Sequence, residues 1–204
     1  MSKYSHARAE QMRRAIAEEA ARIMSEHGVD DFLLAKRKAA ERFGVSDASV
    51  LPKNKEIEMA IADRQRLFEG DRHDDTVADL RRVALRAMHL LREFDPRLVG
   101  PVLSGTASAH SEINLHLFAE SAETVAFRLM EHGIPHQAAE RRLRYERDRI
   151  VSYPAFRFVA GHQPVDAVVF PLNGIRQSPA SPVDGRPMRR GDATDIEALL
   201  EGVE

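Results

Sequence analysis

The spacing of apolar residues changes at Asp95–Pro96, and this change limits the folds open to the chain more than any other feature. Before it, apolar positions recur with the 3.6-residue period of a helix. Met12, Ile16, Ala20, Ile23 and Met24 share one face of a segment from Ser5 to His27, and Gly28 is its stop. Asp30 or Asp31 is placed to cap a second helix running to Phe43, closed by Gly44. Pro52 breaks the chain, Asn54 caps a third helix to Phe68, and Gly70 ends it. A fourth helix begins near Thr76 and carries Val77, Leu80, Val83, Leu85, Met88 and Leu91. Short joints between them predict an orthogonal or bundle-like region.

After Pro96 the period falls to two. Leu98 to Leu103, Ile113 to Phe118, Arg142 to Tyr145, Phe156 to Ala160 and Val165 to Phe170 read as short strands rich in branched or aromatic residues. One helix interrupts them, from Ser121 to His132, and Gly161–His162 can close a hairpin between the last two strands. The proline- and arginine-bearing stretch Gln177 to Asp192 reads as an irregular arm, followed by a short helix from Thr194 to Leu200. The predicted fold class is α+β. A helical N-terminal region spans 1–95, a small mixed β-sheet with a flanking helix spans 96–176, and the arm and last helix span 177–204.

Composition narrows the functions. With 43% apolar residues the 204-residue chain can bury a core, and it holds no apolar run of about 18 residues to span a membrane. No charged-then-apolar leader opens it, so a cytoplasmic protein is expected. The absence of cysteine excludes disulfides, thiolate zinc sites and cysteine nucleophiles. A net charge of -2 argues against a protein that coats nucleic acid. Arginine makes up 25 of the 30 basic residues and no lysine follows Lys55, so any cation meeting a phosphate in the second half is an arginine or a histidine.

The chemistry-bearing residues concentrate in Val102-Leu-Ser-Gly-Thr-Ala-Ser-Ala-His-Ser-Glu-Ile-Asn-Leu-His-Leu-Phe118. A turn of small residues leads into a strand whose alternation puts Glu112, Asn114 and His116 on one face and Ile113, Leu115 and Leu117 on the other. Further on, Asp166 interrupts an apolar strand, which is costly unless the carboxylate is paired, hydrogen-bonded or metal-bound.

This pattern resembles the nucleotidyltransferase fold of the DNA polymerase beta superfamily, especially its small bacterial members. Gly105-Thr106 stands at the family's Gly-Ser turn, Ser111-Glu-Ile-Asn-Leu115 at its paired-acid strand, and Asp166 at its third acid. The resemblance covers roughly Leu98 to Leu172. It implies nucleotidyl transfer, with glycine-turn N–H groups on a triphosphate and carboxylates holding two metal ions. Glu112 and Asp166 are then the catalytic and metal-holding candidates, with Mg2+ the implied ion. Gly105, Thr106, Ser111, Asn114, His116, Arg142 and Arg144 are the ligand-binding candidates. Asn114 replaces the carboxylate that would bridge both metals, which leaves two negative charges where hard cations favour three. The expectation is a nucleotide or other anionic small molecule as ligand, with weak or no transfer.

Two further readings come from other classes. Ala39 to Leu51, preceded by Lys36, Arg37 and Lys38, is similar to helix-turn-helix segments of bacterial repressors, with Ser46 capping the second helix, which implies a DNA-binding or antitoxin-like regulatory module. Pro52 leaves that helix barely a turn and a half. A structural or interaction protein is the third reading. His132 and His136 are split by glycine and proline and form no helical metal pair, and the run Arg141, Arg142, Arg144, Arg147, Arg149 is interleaved with Glu140, Glu146 and Asp148 as a solvated edge would be. Oligomeric state is not set by the sequence.

Overall fold

The computed structural model of the chain describes residues 3–29, 31–68, 70–146 and 149–202. Asp30, Arg147 and Asp148 lie outside the described residues. The chain divides into two compact units, one of residues 1–74 with 182–184 and one of residues 75–181 with 185–204.

In the first unit, α1 (Lys3–His27), α2 (Phe32–Arg42) and α3 (Asn54–Phe68) follow the apolar spacing. Their inward faces meet in a small core of Ile16, Ala20, Ile23, Ala35, Ala39, Ile57 and Ile61. Much of that core is alanine, a side chain small enough to let helices pack closely. The Asp31 side chain caps α2, accepting from the N–H groups of Leu33 and Leu34. The segment similar to a recognition helix is a three-residue 3-10 turn, Ala48–Val50, capped by Asp47 instead of Ser46. Leu51 and Pro52 then turn extended, and the turn never becomes a helix.

α4 (Asp71–Leu90) starts before the expected Thr76, and from Asp75 onward it belongs to the second unit. Leu80, Ala84, Ala87, Met88 and Leu91 are buried in the core of that unit. The division of contacts therefore falls at Asp75, ahead of the change of period at Asp95. Periodicity marks where helices stop; it does not say which core a helix joins.

A five-stranded mixed sheet organises the second unit. Its strands are β1 (Arg97–Val99), β2 (Ile113–Phe118), β3 (His136–Arg144), β4 (Ile150–Ala160) and β5 (Gln163–Phe170), in the order β1-β2-β5-β4-β3. β2 and β5 are parallel neighbours, and the other pairs are antiparallel. α6 (Ala122–Glu131) lies in sequence between β2 and β3, and α7 (Ala193–Glu201) closes the described chain. The strand expected over Leu98–Leu103 is shorter, because Gly100 (φ 73°, ψ -154°) turns the backbone and Pro101 opens the four-residue helix α5 (Pro101–Ser104). β3 starts before the expected Arg142 and β4 before the expected Phe156, because the two pair along their full length from His136↔Phe158 to Arg144↔Ile150.

The two faces of the sheet differ. Leu98, Ile113, Leu115, Leu117, Phe156, Phe158, Val165, Ala167 and Val169 point into the main core with α4, α6 and Ile196 of α7. On the opposite face Phe118, Ala155, Val168 and Phe170 form a smaller cluster with Leu143, Tyr153 and Ile175. The residues of the arm from Gly185 onward return to β1, where Leu98 and Gly191 exchange backbone hydrogen bonds of 2.8 and 2.9 Å. No helix among the described residues is long and apolar enough to cross a membrane.

Candidate acid–arginine site on the sheet

Three strands fix the candidate site. β2 and β5 run parallel with Asn114 directly beside Asp166. β4 and β5 are joined by the two-residue turn Gly161–His162, which pairs Ala160 with Gln163 and so sets Arg157 opposite Asp166. Residues paired across a ladder share a face. Asn114, Asp166 and Arg157 therefore project together from the face opposite the main core. Glu112, two residues before Asn114, joins them from the residue that precedes β2.

The acids are brought together by guanidinium groups. Arg141 of β3 donates from Nε to Asp166 Oδ2 and from Nη2 to Asp166 Oδ1, each at 2.7 Å. This is the bidentate fork that arginine makes with a carboxylate. Arg157 donates from Nη2 to Glu112 Oε1 at 2.6 Å, and its Nε lies 3.6 Å from Asp166 Oδ1. One guanidinium thus spans both acids. Asp166 is 5% exposed, so its charge depends on these partners instead of water.

Other predicted residues have structural duties. Gly105 ends α5 in the left-handed conformation (φ 83°), and the N–H groups of both Gly105 and Thr106 donate to the carbonyl of Pro101. They close the helix end and do not line up toward a ligand as the resemblance implied. Arg81 of α4 holds the same corner through the carbonyls of Val102 and Leu103, and burial lowers its pKa. The Thr106 hydroxyl lies 3.0 Å from that of Ser104. Ser111 is buried and closes the loop by accepting from the N–H of Ser108.

His116 shares the face of Glu112 and Asn114 but sits beyond them and is only 3% exposed. Its ring packs on Phe170 with centroids 4.5 Å apart, and its Nδ1 accepts from Arg190 Nε at 3.0 Å. Burial, reinforced by the Arg190 charge, lowers its pKa to about 3. Arg190 stacks over Phe118 and Phe170 and donates from Nη1 to the carbonyls of Gly174 and Ile175. Close by, the Tyr145 and Tyr153 hydroxyls lie 2.9 Å apart, and burial together with this bond raises the Tyr145 pKa.

Arg142 and Arg144 are exposed and do not face the acids. The β3–β4 register pairs Arg142 with Ser152 and Arg141 with Tyr153, and Tyr153 belongs to the smaller cluster. Arg141, one residue away from the expected position, is on the correct face. Arg141 and Arg157 are the functional candidates that sequence reasoning missed. A signal for Arg157 was present: a two-residue turn at Gly161–His162 itself sets Arg157 against Asp166.

The donor set does not fit the Mg2+ that the resemblance implied. Both oxygens of Asp166 accept from Arg141, Glu112 is bound to Arg157, and the second position of the acid pair holds Asn114. Among the described residues, no group of three or more His, Asp or Glu side chains is arranged to hold a metal ion. Two acids balanced by two arginines leave no net negative charge to attract one.

Comparison with family models, with curated proteins and with solved structures finds no match to this chain.

Proposed function

We propose that the protein binds a nucleotide or other anionic small molecule on a nucleotidyltransferase-like sheet, with little or no nucleotidyl transfer. The observation that carries this reading is the convergence of Glu112 and Asp166 onto the guanidinium of Arg157, with Asn114 paired beside Asp166 in the parallel β2–β5 ladder. The half-exposed Arg157 is the group that an incoming phosphate oxygen would meet, and arginine suits that contact through its planar fork. A phosphate would exchange with Glu112 for the guanidinium, so the acids act here as placeholders that hold the arginine in position. The incomplete acid set supports binding over transfer, because stabilising the charge on a transferring phosphoryl group calls for metal ions that this site does not invite.

Fluorescence-detected melting with ATP, CTP, GTP or UTP, in EDTA and again with Mg2+, tests the reading. A rise in midpoint with at least one nucleotide that is present in EDTA and reduced in Arg157→Ala is expected. No response to any nucleotide sinks it.

A further inference from the structure

We infer that Arg141 and Arg157 are the resident counter-cations of the Glu112–Asp166 pair, so that the site closes its own charge and takes no divalent metal ion. The inference deepens the proposed function at the same site and rests on it only for the site's location.

Four observations converge. Asp166 accepts on both oxygens from one guanidinium in fork geometry, which occupies the positions a metal would need. Arg157 links Glu112 to Asp166, so a metal shared by the two acids would have to displace it. The arginines are held by the register of β3, β4 and β5 rather than by loops, which limits how far they can retreat. Finally, Asn114 supplies no charge at the second position of the acid pair. A divalent ion at Asp166 would lie within a few ångströms of two guanidinium groups, and at that range repulsion offsets much of its attraction to the acids. A phosphate ligand therefore binds as its metal-free anion, with arginine doing the neutralising that a metal ion would otherwise do.

The test is a Mn2+ titration of the full chain, followed by electron paramagnetic resonance and by paramagnetic broadening of backbone amides. The expected result for wild type is no saturable site and no selective broadening around 112–116 and 164–168. Saturable wild-type binding that Asp166→Asn removes overturns the inference. The variant Arg141→Gln with Arg157→Gln, checked for folding by circular dichroism, should gain a saturable Mn2+ site that Asp166→Asn then removes. A folded variant without that gain also overturns it, and if the variant does not fold the two wild-type readouts decide. Nucleotide melting is independent: its failure leaves the Mn2+ result standing, and Mn2+ binding would leave the nucleotide reading standing.

Discussion

Arg157 lies directly opposite Asp166 in the antiparallel β4–β5 ladder, yet its guanidinium comes closer to Glu112 (2.6 Å), one strand further across the sheet, than to Asp166 (3.6 Å). The guanidinium therefore joins three strands on one face. This arrangement makes the site a property of strand register.

Removing Arg141 leaves the Asp166 carboxylate buried with Arg157 as its nearest remaining guanidinium. Breaking a buried pair from one side costs about 3 kcal/mol. Arg141→Ala should lower unfolding stability in urea by roughly that amount. Adding Asp166→Asn should restore part of the loss, because the uncompensated charge is gone. Strictly additive losses would show that the two groups are not coupled.

That pairing also shows how much of the site the sequence made legible. Asp166 stood out because a carboxylate inside an apolar strand must have a partner, and the partner had to be on a neighbouring strand. Glu112 and Asn114 followed from alternation. What alternation cannot give is the phase between strands: a one-residue slip put Arg142 and Arg144 where Arg141 belongs. His116 was misjudged for a different reason. Its own face alternates correctly, but the arm carrying Arg190 covers that end of the sheet, and such coverage is a long-range contact of 74 residues' separation. The assignment of α4 likewise depended on which core its apolar stripe joins, which no local pattern encodes.

His116 makes stability depend on pH. Its folded pKa of about 3 lies below its ordinary 6.5, so between those values the unfolded chain binds a proton that the folded chain does not. This contribution is complete above pH 6.5 and is lost as pH falls toward 3, with a slope of up to about 1.4 kcal/mol per pH unit. Urea unfolding of wild type and His116→Gln at pH 7, 6 and 5 should show the steeper decline in wild type. Parallel declines would contradict the assignment.

Arg190→Ala removes two hydrogen bonds to carbonyls of the Leu172–Arg176 turn and stacking over Phe118 and Phe170. The expected loss is about 2 kcal/mol, with Arg190→Lys intermediate because lysine keeps the charge but not the fork. Hydrogen exchange should show faster opening at Leu172–Arg176 in the alanine variant than in wild type. Unchanged protection there would mean that Arg190 does not secure the turn.

Gly100→Ala should be costly where it stands. Its φ of 73° with ψ of -154° is a region reserved for glycine, and an added Cβ would lie 3.3 Å from Asn114 Nδ2. A loss of about 1–3 kcal/mol is expected. Because the added Cβ would press on Asn114, the variant should also alter nucleotide-induced stabilisation, and a normal melt with normal ligand response would refute the strain.

The central claim is that the acid–arginine site binds a phosphate-bearing anion without a metal ion. Isothermal titration of ATP, CTP, GTP and UTP into the wild-type chain in EDTA, and into Arg157→Ala, tests it most directly. Saturable one-site binding of at least one nucleotide is expected, weakened about tenfold or more when Arg157 is lost. No nucleotide binding in EDTA, or binding of equal affinity in Arg157→Ala, would contradict it.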